Sequence, residues 1–170
     1  MNDSQEKLIS FLREQGIEFC HFSHPKADTA EEKAKNDAAN GVVGGRHCKN
    51  LFLKSRNGKK YYYLSMPFEK KFQTGPHSRA MGSGRLNFAP EEELLALLKT
   101  KSGSLSPLCL YFAPEEIDLE FFMDEELSGA ETFCFHPSNE LATVAIPAKE
   151  FFERFLPAIG REVKFVHLDG

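Results

Sequence analysis

A chain of 170 residues with 41% hydrophobic content and 16 Phe has the length of one domain, residues 1–170, and enough apolar side chains to fill its core. No apolar run reaches the ~18 residues of a membrane span and no basic-then-apolar leader opens the chain, so a soluble, cytoplasmic protein with no membrane partner is expected. The net charge of −4 conceals a division: residues 26–85 hold 13 Lys/Arg against 5 Asp/Glu, whereas residues 86–170 hold 6 against 16.

Taken in chain order, Leu8, Ile9 and Leu12 fall at helical spacing within Ser4 to Gln15, and Gly16 stands where a helix stops. Ile17 to Phe22 is short and apolar enough for a strand, closed by His24-Pro25. Thr29 followed by Glu32 is a capping-box pattern, which starts a helix over Ala30 to Ala39. Glycines 41, 44 and 45 then deliver the chain to a strand from Lys49 to Lys54. Asn57-Gly58 pairs it with Lys60 to Ser65 as a hairpin, because both turn positions tolerate positive φ. Residues 67–85, broken by Pro67, Gly75, Pro76, Gly82 and Gly84, read as a short helix and loops.

A brief strand at Leu86 to Phe88 precedes Pro90 and the glutamates 91, 92 and 93, a good first turn for a helix carrying Leu94, Leu95, Leu97 and Leu98. Gly103 to Pro107 breaks that helix and leads into the apolar run Leu108 to Phe112, read as a buried strand. Further strands are predicted at Glu116 to Phe122, Thr132 to Phe135, Ala142 to Ile146 and Val163 to His167, with a helix over Ala148 to Phe155. This order predicts an α+β fold with helices around a mixed sheet.

The chemistry-bearing residues are fewer. Lys49 opens a strand against Leu51, Phe52 and Leu53, where an ammonium is costly to desolvate unless something uses it; a stem that packs while its head reaches solvent is the plain alternative. The basic segment, with Lys54, Arg56, Lys59, Lys60, Lys70, Lys71, Arg79 and Arg85, has the charge to follow a phosphate backbone, although a solvated lysine face would look the same. Cys20, Cys48, Cys109 and Cys134 form no C-x-x-C pair, so reduced thiols are expected and neither metal nor cofactor is. A metal on His47, Cys48 and His136 has poor ligand spacing and ranks behind ordinary packing.

Lys49-Asn50-Leu51-Phe52-Leu53, Gly103-Ser104-Leu105-Ser106-Pro107 and Phe135-His136-Pro137 with Asn139, together with His24-Pro25 and Thr29-x-x-Glu32, resemble the YbaK and prolyl-tRNA-synthetase-associated editing domain family, closest in form to its ProX type. The resemblance covers residues 19–168 in motif order. It departs at Phe112-Ala113-Pro114-Glu115, where the family usually has an Asn-Asp turn. It implies a mixed, partly barrel-like β-sheet flanked by helices. It also implies an esterase acting on mischarged tRNA, most of all alanine on tRNA for proline, with prolyl-tRNA synthetase as a possible partner and no cofactor.

By the same resemblance Lys49, Gly103 and His136 are the catalytic positions, and Asn50, Ser104, Leu105, Ser106, Pro107 and Asn139 bind substrate. Lys49 would hold the terminal ribose, a phosphate or the ester carbonyl, and the glycine loop would offer backbone N–H groups. His136 would line the pocket, donate a hydrogen bond or move a proton near neutral pH. Asn50 points opposite to Lys49 in an ideal strand, which gives a structural role nearly equal claim. Cys48 is not expected to be a nucleophile, since alternation turns it away from Lys49. The competing readings are a deacylase for cysteine or serine on tRNA and a silent module that binds tRNA or an aminoacyl group.

Overall fold

The computed structural model describes all 170 residues. Helix α1 (Asp3–Glu14) is capped by the Asn2 side chain, which accepts from the Gln5 N–H, and it buries Leu8, Ile9 and Leu12 as the spacing predicts. Strand β1 (Cys20–Ser23) follows, then α2 (Ala30–Ala39), whose Thr29 cap accepts from the Glu32 N–H as expected of a capping box. Strands β2 (Arg46–Lys54) and β3 (Tyr61–Pro67) form the predicted hairpin, with Gly58 at φ +72° in the turn.

Helix α3 (Thr74–Ala80), strand β4 (Asn87–Phe88) and helix α4 (Glu91–Leu98) lead to the glycine loop, a single 3-10 turn at Ser102–Ser104. Strands β5 (Leu119–Asp124), β6 (Thr132–Phe135), β7 (Ala142–Pro147) and β8 (Val163–Val166) complete the sheet. Between β7 and β8 a helical stretch runs α5 (Ala148–Glu150), a π-helical turn at Phe151–Phe155, and α6 (Leu156–Ala158).

The eight strands form one mixed sheet in the order β1-β7-β6-β2-β3-β5-β8, with β4 also on β2. The α+β expectation of a mixed sheet flanked by helices therefore holds. On one side β2 pairs with β3 from Cys48 to Lys54; on the other, β6 takes Arg46 and His47 and β4 takes Leu53 and Lys54. The stretch from Cys48 to Phe52 is thus left without a strand partner on that second side. Lys49 lies in this interruption.

Two hydrophobic clusters flank the sheet. The larger gathers α1, the aromatic residues Phe121, Phe133, Phe135, Phe151 and Phe155, and Phe52 and Tyr63; the smaller gathers Leu53, Leu64, Met66 and Phe122. Strand alternation assigns Lys49, opposite Met66, to the side of the smaller cluster and Asn50, opposite Ser65, to that of the larger. Inside the larger cluster, the Tyr63 hydroxyl is buried without a hydrogen-bond partner.

One predicted element is wrong. Leu108 to Phe112 is not a strand but part of a 3-10 helix, Pro107–Phe112, capped by Ser106 and with proline at its start. A short apolar run buried on all sides has no period that separates the two conformations. The first strand also begins at Cys20 rather than Ile17, and β5 starts at Leu119 rather than Glu116.

Candidate active site

Four segments meet beside the interruption in β2: the strand itself, the 102–105 turn, the end of β6, and α2. They enclose a cavity of about 150 Å³ whose wall includes Lys33, Lys49, Asn50, Gly103, Leu105 and His136. Lys49, Gly103 and His136, expected as catalytic positions, are brought together here with Asn50 and Leu105.

Lys49 donates from Nζ to the Lys70 carbonyl oxygen at 2.5 Å. That carbonyl is itself held, because the Lys70 ammonium is buried against Asp124 (2.7 Å), the Leu168 carbonyl (2.7 Å) and the Glu126 carboxylate. Asn50 is tied within the hairpin: its Oδ1 accepts from Ser65 Oγ at 2.7 Å and its amide donates to the Cys48 carbonyl at 3.3 Å. The structural share of its role is therefore visible, while it still contributes to the wall.

His136 follows β6, and its Nδ1 donates to the Ala142 carbonyl at 2.8 Å. Its Nε2 is left with a free lone pair. Burial, the first cause, lowers its pKa to about 4 from 6.5, the Ala142 bond opposes this, and the charges of Lys33, His24 and His47 add to the fall. The imidazole is thus neutral at pH 7 and acts as an acceptor. Donation to substrate, open in the sequence, does not suit it, because its one N–H is already used, and the low pKa makes Nε2 a weak base near neutral pH.

Of the N–H groups in residues 102–105, those of Ser104 and Leu105 close the turn onto Lys101 and Ser102 and that of Ser102 reaches Glu91 at 3.4 Å, whereas that of Gly103 makes no hydrogen bond. The rest of the expected substrate-binding loop lies elsewhere. Ser106 is buried, donating to the His136 carbonyl at 2.6 Å and accepting from the Leu108 N–H at 3.2 Å. Pro107 is the buried first residue of the 3-10 helix. Asn139 donates to Gln5 and accepts from Leu141, and with Ser104 it lines a separate surface depression. Of these four residues Ser106 ties the loop to the His136 segment, and none of the four lines the cavity.

Cys48 contributes a thiol that burial raises to about 12, so it stays protonated and packs. The residues with metal-ligating atoms in proximity are Asp37, His47 and Cys134, within 4.8 Å of one another, not the His47, Cys48 and His136 trio. Both His47 Nε2, at 2.7 Å, and the Cys134 thiol, at 3.7 Å, donate to one Asp37 oxygen, which satisfies all three as a hydrogen-bonded set. Burial pushes the Cys134 thiol well up, away from the thiolate a metal requires.

Sequence reasoning did not assign Lys33, His47 or Phe68 to this site, and all three are part of the wall. Lys33 stands over the Phe68 ring at 5.0 Å, and burial lowers its pKa. Nothing in the polar α2 sequence singles it out. The basic segment is also less free than its composition suggests: Lys54 pairs with Glu93 at 2.8 Å, Lys60 with Glu120 at 3.0 Å, and Lys70 is buried with Asp124.

Residues 24–153 match the family model of the aminoacyl-tRNA editing domain. The chain is 30% identical over 98% of its length to the Xenopus laevis protein named prolyl-tRNA synthetase associated domain-containing protein 1, covering 98% of that chain. It is 29% identical, with 98% of both chains covered, to the prolyl-tRNA editing protein ProX of Acetoanaerobium sticklandii. A crystal structure of a candidate trans-editing enzyme for prolyl-tRNA synthetase superposes over 99% of both chains with a TM-score of 0.71 at 22% identity, which shows a shared fold. The chain belongs to the aminoacyl-tRNA editing domain family, and its activity is the hydrolysis of the ester that joins an amino acid to tRNA.

Proposed function

We propose that residues 1–170 act as one trans-editing domain that removes alanine from tRNA for proline. The observation that carries this is that Lys49, Gly103, whose N–H makes no hydrogen bond, and His136, whose Nε2 is unprotonated, all line one cavity of about 150 Å³. The names of the two relatives point the same way, toward prolyl-tRNA and its synthetase.

A cavity of about 150 Å³ holds a molecule the size of benzene, about six non-hydrogen atoms; an alanyl group with its ester has about six and a prolyl group about eight. Such a site favours alanine over proline by size, the logic of a second sieve. Within it, Lys49 and the Gly103 N–H stabilise the oxygen that gains charge as water attacks the ester carbon. His136 Nε2 accepts from the α-ammonium group of the amino acid. Cys48 is protonated and His136 is a weak base, so the vicinal ribose hydroxyl is the group that relays the proton to the departing oxygen. A tRNA ending in 2′-deoxyadenosine, charged at its 3′ oxygen, is then hydrolysed poorly.

A panel of alanyl-, cysteinyl-, seryl- and prolyl-tRNA tests the substrate. Fast loss of alanine from tRNA for proline with prolyl-tRNA spared is the expected pattern. Preferential loss of cysteine or serine moves the substrate, and no loss beyond spontaneous hydrolysis leaves a binding module.

A further inference from the structure

An amino acid seated beside Lys49 remains esterified to the last nucleotide of its tRNA, so that nucleotide must occupy volume continuous with the cavity. A groove of about 400 Å³ between α2 and residues 42–46 shares two of its walls, His47 and Phe68, with the 150 Å³ cavity. A cleft that also shares wall residues, near His24 and Asn36, is only about 10 Å³, too small for a base. The depression at Asn139 shares none.

We propose that the α2 groove is the seat of the 3′-terminal nucleoside of the tRNA and that Lys33 holds the phosphate attached to it. This rests on the deacylase reading above and extends it to a site for the nucleotide. The groove is lined by Ala30, Ala34, Ala38, Val42, Val43 and Phe68, small or flat apolar surfaces that let a base slide in and stack. Val43 is 90% exposed at its edge, an apolar side chain that packs on nothing in the chain. Of the carboxylates beside the groove, Glu69 is paired with Arg46 at 3.1 Å and Asp37 is turned into hydrogen bonds from His47 and Cys134.

Lys33 stands where groove and cavity adjoin. It is half-buried, lies over Phe68 at 5.0 Å and makes no ion pair within 4.0 Å, unlike Lys54, Lys60 and Lys70. A half-buried cation that no carboxylate contacts directly, with Asp28, Glu32 and Asp37 acting on it only from a distance, is free to contact a phosphate.

The test titrates the trinucleotide CCA into the isotopically labelled full chain and follows backbone amide shifts by NMR. Perturbations concentrated at residues 33–46 and 68 are expected, and they require no particular amino acid, so they survive even if alanine is not the substrate. Shifts centred on Lys99, Lys101 and Asn139, or none at millimolar trinucleotide, overturn the proposal. In parallel, Val43→Glu and Lys33→Gln are expected to raise KM for charged tRNA at least tenfold with kcat within threefold, and Lys33→Arg to restore most of the affinity. Unchanged KM in both variants, with unaltered melting temperature, overturns it while leaving the deacylase reading intact.

Discussion

At the scale of single residues, burial decides which groups are chemically available. His136 has a folded-state pKa of about 4 against 6.5 in the unfolded chain, so protonation favours unfolding. Its stabilising contribution is complete above pH 6.5 and is lost as pH falls from there to about 4, on the order of 3 kcal/mol for a depression of that size. Denaturant unfolding of His136→Gln and the native chain across pH 4–8 should show a flatter acid limb in the variant; parallel curves contradict the assignment. Tyr63 makes a second case. Its hydroxyl is buried with no partner, and removing it in Tyr63→Phe is expected to stabilise the fold by about 1–2 kcal/mol, read as a rise in the urea midpoint. Lys49 stood out because a cation beside three large apolar residues joined the glycine-loop and His136 motifs, since its spacing alone favours a packed stem with a solvated head. Lys33 did not, because its neighbours in α2 are as polar as it is and only the tertiary fold places it over Phe68.

At the scale of elements, the site is assembled by hydrogen bonds that pin loops to strands. Ser106 ties the glycine loop to the His136 carbonyl and caps the 3-10 helix, so Ser106→Ala leaves both groups unsatisfied. About 1–3 kcal/mol of stability should be lost, with a fall in kcat as the turn at Gly103 loosens, measured by chemical unfolding and by single-turnover deacylation. The buried Lys70–Asp124 pair holds the carbonyl that orients Lys49. Removing Asp124 with Asp124→Ala leaves the buried ammonium only the half-exposed Glu126 carboxylate and the Leu168 carbonyl, and is expected to destabilise by about 3 kcal/mol, seen as an early thermal transition. Elements with a clear period or cap were readable: α1 from Leu8, Ile9 and Leu12, α2 from its Thr29 cap, and the hairpin from Asn57-Gly58. The run Leu108 to Phe112 was not, since it is apolar throughout and Pro107 suits a helical first turn as well as a strand start.

At the scale of the whole molecule, sheet order explains why residues far apart in the chain act together. Strand β2 gives up its second neighbour over the stretch carrying Lys49, and the gap admits the glycine loop, α2 and the end of β6. No local pattern announces such an interruption, which is why the motif set named Lys49, Gly103 and His136, which line one cavity, while its wall at Lys33, His47 and Phe68 went unread. The charge division behaved similarly. Lys54, Lys60 and Lys70 of the basic half pair with carboxylates of the acidic half, whereas Lys33 and Lys49, which line the cavity, make no ion pair. The most direct test of the account is the single-turnover rate on alanyl-tRNA for proline of Lys49→Ala beside the native chain, with melting curves for both. An unchanged melting temperature with the rate reduced about 100- to 1,000-fold, the loss typical of a removed oxyanion donor, is the predicted result. Turnover equal to that of the native chain would contradict it.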